Sequence, residues 1–306
     1  MENFYPIRIN TLRDDEAVSF DVYIKVGSKY IHYIRTQDEM EGERLKNLKE
    51  KGIRKLFIPP SHEDSYLLYL ERGIENLSDT SKDIKERAAF AHDTMVTAAE
   101  NAEKNLETQE GFDTQKKHFN HITDFILSDR NAIKSMLASA GIAVDNNHHS
   151  ANVSSLALAL ASKCGMTDKT EIFELGTAAL LHDLGKNRLK FDYQKSSDSF
   201  TAEEKKSYKN HPQDGADMLA GKPYISPRIL GLIAAHEEYG VGKGYPEKKN
   251  LFTLPLSYQI LSLVNRFDHL GAELKLEPFK AVDAFFEKHS EDYDENLITT
   301  LATILT

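Results

Sequence analysis

The 306-residue sequence predicts a mainly α protein: a small α+β domain over 1–77, a helical connector over 78–140, and an all-helical C-terminal domain over 141–306. Three observations carry this. Short alternating apolar runs with turn signals are confined to the first quarter of the chain. Between Ser78 and Ala140 there is no proline, and Gly111 is the single glycine. From Asn146 onward the apolar residues recur at helical spacing. The length also fits about two domains at roughly 150 residues each.

The elements follow in order. Val18 to Val26 alternates loosely at strand period, Gly27-Ser28 marks a turn, and Tyr30 to Ile34 makes a second, aromatic strand. Asp38 to Lys51 is helix-prone, with Gly52 as its C-cap. Lys55 to Ile58 is a short strand stopped by Pro59-Pro60, and Ser61-His62-Glu63-Asp64 starts a helix reaching Leu77. In the connector, Phe119, Ile122, Phe125 and Ile126 form one helical face, while His92, His118 and His121 read as solvated positions. Further on, Val153, Leu156 and Leu160 share a face, as do Ile172, Leu175 and Ala179. So do Ile229, Ile233 and His236, and then Leu256, Ile260, Leu263 and Phe267.

Composition narrows the function. Acidic residues outnumber basic ones by 48 to 38, a net charge of −10, which argues against a broad duplex-DNA or anionic-membrane surface. The single Cys164 excludes an internal disulfide and a multi-cysteine zinc site. No signal peptide or membrane-length apolar run is visible, so a cytoplasmic location is expected. No Walker loop and no G-x-G-x-x-G occurs. What stands out is 12 histidines in a chain without tryptophan, because histidine is the commonest metal ligand.

The informative string is Leu181-His182-Asp183-Leu184-Gly185-Lys186. An imidazole beside a carboxylate can hold one cation while the carboxylate reaches a second. Gly185 permits a tight turn, and Lys186 offers a compact charge for an anionic oxygen. Alone, such a string also reads as a helix end with a solvated Asp-Lys pair. Three more histidines at helix ends weigh against that. His149 falls in the first turn of an apolar helix, beside His148. His211 precedes Pro212, read as a first helical residue, and His236 closes the face of Ile229 and Ile233.

These motifs resemble the HD-GYP branch of the HD metal-dependent phosphohydrolases. The resemblance spans roughly Asp145 to Leu270. Its pieces are His182-Asp183-Leu184-Gly185-Lys186, His211-Pro212-Gln213-Asp214-Gly215, and His236-Glu237 running on to Gly244-Tyr245-Pro246. The resemblance implies an HD-type helical domain and a metal set of His149, His182, Asp183, His211, His236, Glu237 and Asn265. Asp183 is the implied bridging, catalytic carboxylate. Lys186 is the implied catalytic contact to the scissile phosphate, with Tyr245 as a further substrate contact. The implied activity is a phosphodiesterase opening cyclic di-GMP to pGpG or GMP through a metal-bridging hydroxide. Its cofactors are two divalent ions, non-haem iron first, with manganese or zinc suiting the same ligands.

Four departures from the family pattern matter. Asp145 stands four residues before His149 in place of a glutamate, which favours two ions over three. Glu237 and Asn265 replace a histidine and an aspartate, with Asp268 one turn beyond Asn265. The basic segment after the GYP loop is reduced to Glu277-Pro278-Phe279-Lys280, so a phosphate-gripping arginine is missing there. These changes keep open an alternative, a weakly active or inactive metal-containing protein that binds cyclic di-GMP and signals. Partners other than the nucleotide would meet the GYP loop or the N-terminal domain.

Overall fold

The structure, a computed structural model, describes residues 4–13, 16–38, 42–129, 131–140, 145–195 and 197–305. The extreme N-terminus (1–3) and residues 39–41 of the expected first helix lie outside them.

Four strands form one antiparallel sheet: β1 (Tyr5–Arg8), β2 (Val22–Val26), β3 (Lys29–Ile34) and β4 (Lys55–Ile58), in the order β1-β4-β2-β3. The turn between β2 and β3 is made by Gly27, whose φ of +60° is open to glycine at little cost. β1 is absent from the sequence reading. It contains Pro6 and lies at the sheet edge, where a missing N–H is tolerated. β2 is shorter than expected, because residues 18–21 precede the pairing.

The helices of this half are α1 (Gly42–Glu50) and α2 (Glu63–Glu75). Gly52, at φ +75°, ends α1: its N–H reaches the Lys49 carbonyl at 2.9 Å and that of Ile53 reaches Leu48 at 3.0 Å. The expected side-chain cap on α2 is not formed. His62 instead accepts the Asp21 amide at 3.0 Å, tying the helix start to the sheet.

Next come α3 (Ile84–Glu100), the one-turn α4 (Ala102–Asn105), α5 (Gln109–Ser128) and α6 (Ala132–Ala140). The expected face of α5 is buried as read. α3 corrects the picture of a solvated connector: Arg87, Ala88 and all of Phe90 to Thr97 are buried against α6 and α7. Its threonines bond back to their own helix, Thr94 to Phe90 and Thr97 to Asp93, both at 2.8 Å. Polar side chains satisfied in this way can be buried without outside partners.

The remaining helices are α7 (Asn146–Lys163), α8 (Lys169–Leu181), α9 (Ala202–Leu219), α10 (Pro227–Ala235), α11 (Leu256–Leu274), α12 (Pro278–His289) and α13 (Glu295–Leu305). α7 is the central rod. Every residue from His148 to Ala161 is buried, as expected for a helix surrounded on all sides, and α3, α5, α6, α8, α11 and α13 pack on it. The mainly α expectation is therefore met. No helix among the described residues is long and apolar enough to cross a membrane.

One expectation fails in α9. Pro212 does not open a helix but lies inside one that starts eleven residues earlier, at the capping box of Thr201 and Glu204. α5 and α7 both pack closely on α8 because Gly176 has no side chain: a β-carbon there would lie 2.2 Å from the Phe119 ring of α5 and 2.9 Å from Leu158 Cδ2 of α7. Gly176→Val is expected to lower unfolding free energy by about 1–3 kcal/mol through overpacking. Urea denaturation checks this, and an unchanged midpoint would contradict the packing described.

Candidate metal centre

Four helix termini or breaks aim imidazoles at one point. In α8 the last carbonyls lack intrahelical partners, and the Nδ1–H of His182 donates to that of Ala179 at 2.7 Å. At the end of α10, His236 Nδ1–H donates to the Ile233 carbonyl at 2.7 Å in the same way. His211 repeats the arrangement in mid-helix. Pro212 has no N–H for the Tyr208 carbonyl four residues before it, and His211 Nδ1–H takes that carbonyl at 2.7 Å. In the first turn of α7, His149 Nδ1–H donates to Asp268 Oδ2 at 2.7 Å.

These bonds decide the tautomers. A carbonyl or carboxylate oxygen only accepts, so Nδ1 carries the hydrogen and Nε2 carries a lone pair. The lone-pair nitrogens then face one another: His149 to His182 at 3.2 Å, and His211 to His236 at 3.1 Å. Asn265 Oδ1 lies 3.0 Å from His149 Nε2, with its amide nitrogen turned to Glu237 at 3.4 Å.

Asp183 sits between the two pairs. Its Oδ1 lies 3.3, 3.5 and 3.7 Å from Nε2 of His211, His182 and His236, yet has no hydrogen-bond partner. Its Oδ2 lies 2.6 Å from Lys186 Nζ and 4.0 Å from His149 Nε2. Two groups close enough to share an ion result: His149, His182 and Asp183, and Asp183, His211 and His236. Converging lone pairs and an orphaned carboxylate oxygen in a buried site are unfavourable unless a cation lies among them. The donor set therefore fits metal ions.

Electrostatics agree. Burial, with the neighbouring His236, His149 and Lys186, holds His182 well below the usual histidine range. Burial and His211 push His236 down to about 3. Both rings stay neutral, the state a ligand needs. Burial opposes ionisation of Asp183, but the adjacent Lys186 ammonium overcomes it and holds the carboxyl well below its usual range. For His149 burial works downward, and the Asp268 hydrogen bond and charge reverse it, raising the ring.

The other predicted residues fall around this centre. Glu237 lies 3.8 Å from His236 Nε2. Lys186 is 2% exposed, its ammonium against Asp183 and 5.6 Å from the Tyr208 ring centre. Tyr245 stands at the rim, 6.3 Å from the His211 ring, with Lys209 Nζ 5.8 Å over its face. Asp145 and His148 turn away: Asp145 caps α7 and takes His148 Nδ1 at 2.8 Å, and His148 Nε2 faces Arg8 at 3.4 Å. Asp268 is behind His149, and Asn265 is the residue on the Nε2 side.

The glycines act by close approach. Gly185 was read as a turn residue, but its φ is not positive. A β-carbon there would meet the His211 carbonyl at 2.0 Å and the Gly215 nitrogen at 2.6 Å. Gly244 likewise backs onto residues 237–239, with Glu238 Cα at 2.4 Å.

Sequence reasoning passed over three residues. Glu238 is 0% exposed and accepts the backbone amides of Glu247 and Lys249 at 2.7 and 2.9 Å, fastening the GYP loop. The His269 ring lies tilted against His149 with ring centres 4.1 Å apart, and its Nε2 has no hydrogen-bond partner among the described residues. Asn152 donates to Asp268 Oδ1 at 3.0 Å. Position three residues after His149 was the one available signal for Asn152.

Comparison with known proteins agrees with this geometry. The HD domain family matches residues 126–297. A solved structure, Bd1817, an HDG"Y"P protein from Bdellovibrio bacteriovorus, superposes with a TM-score of 0.80 at 31% identity, covering 99% of each chain. The cyclic di-GMP phosphodiesterase response regulator RpfG of Xanthomonas campestris is 30% identical over 123 residues, 40% of this chain and 31% of that protein. The cyclic di-GMP phosphodiesterase PA4108 of Pseudomonas aeruginosa is 34% identical over 98 residues, 32% of this chain and 23% of that protein. The matches thus span under a third of either curated relative. Fold and motifs together define an HD domain protein, from a superfamily of metal-dependent phosphohydrolases. Within it, the chain belongs to the HD-GYP family.

Glu238→Ala is expected to free the loop, since two partly buried amides lose a charged acceptor, at a cost of up to about 1–3 kcal/mol each. Limited trypsin digestion should then cut faster after Lys243, Lys248 or Lys249. Digestion at the wild-type rate would contradict the fastening role.

Proposed function

We propose that this protein is a metal-dependent phosphodiesterase that hydrolyses cyclic di-GMP to pGpG or GMP. The observation that carries the reading is the pair of histidine groups sharing Asp183, with lone pairs turned inward. His149, His182 and Asn265 would hold one ion and His211, His236 and Glu237 a second, with Asp183 common to both. Non-haem iron is the first choice, with manganese and zinc suited to the same donors. When bound, such ions supply Lewis acidity and lower the pKa of water to near neutrality.

The chain's own groups do the rest. Lys186 keeps Asp183 ionised and fixes its Oδ2, leaving Oδ1 for the inward face. Its ammonium also adds positive charge where phosphate oxygens would gather. Tyr245, beside the His211 ring, and Lys209, over the Tyr245 face, would help to orient the nucleotide. The substrate class comes from the names of the two curated relatives and from the GYP loop. The chemistry is assigned to 141–306, with 1–77 as accessory domain and 78–140 as connector.

One observation favours a second reading, a protein that binds the nucleotide with little turnover. Asn265 places a neutral oxygen where a carboxylate would add charge. Incubation of metal-loaded protein with cyclic di-GMP, followed by chromatography, separates the two. Appearance of pGpG or GMP supports the enzyme; saturable binding without product sinks it.

Metal should also stabilise the fold. At a free ion concentration about 100 times Kd the gain is roughly 2.7 kcal/mol. Thermal melts with and without a chelator should show this for the wild type and lose most of it in Asp183→Ala. Identical melts for the wild type in both conditions would count against the metal centre.

A further inference from the structure

His92 lies on α3, outside the stretch that matches the HD domain family, and was read from sequence as solvated. It is 1% exposed. Its Nε2 lies 3.0 Å from Asn152 Oδ1 on α7. Asn152 Nδ2 donates to Asp268 Oδ1 at 3.0 Å on α11, and Asp268 Oδ2 accepts His149 Nδ1–H at 2.7 Å.

The donors and acceptors in this chain permit one arrangement. An ionised carboxylate only accepts, so the Asn152 amide must turn its nitrogen to Asp268 and its oxygen to His92. His92 must then donate from Nε2. Asp268 receives one hydrogen bond on each oxygen, which fixes its plane and, through it, the ring of His149. The links join residues 60, 116 and 119 positions apart in sequence, so three separate helices meet in it. The Nδ1 of His92 is 3.6 Å from Asp93 Oδ1, beyond hydrogen-bond reach.

We propose that His92 is a positioning residue for the metal centre, acting through Asn152 and Asp268 to hold His149 with its Nε2 aimed at the ion site. The inference rests on the metal-centre reading above. Outer partners of a ligating histidine fix its tautomer and orientation, and their loss costs about 10–100-fold in metal affinity. His92 extends that support into a helix that precedes the family domain, so the domain depends on its connector for a correctly set ligand.

The test is manganese(II) affinity, by competition with a chelator, for full-length wild type, His92→Leu and His92→Gln. Circular dichroism and thermal melting follow the fold. Met95→Ala, a buried change on the same helix with no link to Asp268, controls for loosened packing. Affinity should fall about 10–100-fold in His92→Leu, recover in His92→Gln, whose amide can donate to Asn152, and stay near wild type in Met95→Ala. Folded His92→Leu with wild-type affinity, or an equal fall in Met95→Ala, overturns the positioning role alone. A wild type that takes up no metal overturns it together with the metal centre. If His92→Leu does not fold, His92→Phe, which keeps a ring but has no donor for Asn152, takes its place, with the same outcomes deciding.

Discussion

The arrangement on which the rest depends is a knot of inward-facing electron pairs. Four imidazole nitrogens, one amide oxygen and a partnerless carboxylate oxygen converge here, the imidazoles in two pairs 3.2 and 3.1 Å apart and the carboxylate oxygen 3.3 to 3.7 Å from three of them. In a buried setting such groups repel, and only positive charge makes the packing favourable. Lys186 supplies one such charge, against the carboxylates of Asp183, Asp268 and Glu237. The imbalance is what divalent cations would relieve.

The fold's task is to prevent the rings from escaping this repulsion. Three of the Nδ1 atoms are anchored to oxygens that the helix architecture leaves over, the terminal carbonyls of α8 and α10 and the carbonyl released by Pro212 within α9, and that of His149 is anchored to the Asp268 carboxylate. A ring held at Nδ1 cannot swap tautomers to pair Nε2 with its neighbour. Helix ends therefore act here as orienting devices, and the buried rod of α7 fixes the distance between them. The glycines at 185 and 215 let the turn carrying Asp183 and Lys186 lie directly against α9, and so against His211.

Much of this was legible in the sequence because the site is local in kind. A histidine at a helix end beside an aspartate, a His-Pro step, and a glycine two residues after the His-Asp pair all leave marks in short strings. What could not be read was anything set by the third dimension. Pro212 after His211 suggests a helix start, where proline is favoured, whereas the released Tyr208 carbonyl shows its use inside the helix. β1 was missed because Pro6 argues against a strand unless the strand lies at an edge. The polarity of α3 suggested water, but its threonines satisfy themselves on the helix and His92 finds Asn152 sixty residues away. Glu238 follows Glu237 with nothing in the string to set it apart, yet it is fully buried and Glu237 is not.

The central claim is that Asp183 is shared by two cation sites. Crystals grown with manganese(II), with anomalous diffraction recorded at the manganese edge, test it most directly. The account predicts two peaks on either side of the Asp183 carboxylate, one bounded by His149 and His182 and the other by His211 and His236. No peak within this cluster, or peaks that leave Asp183 uncoordinated, would contradict it.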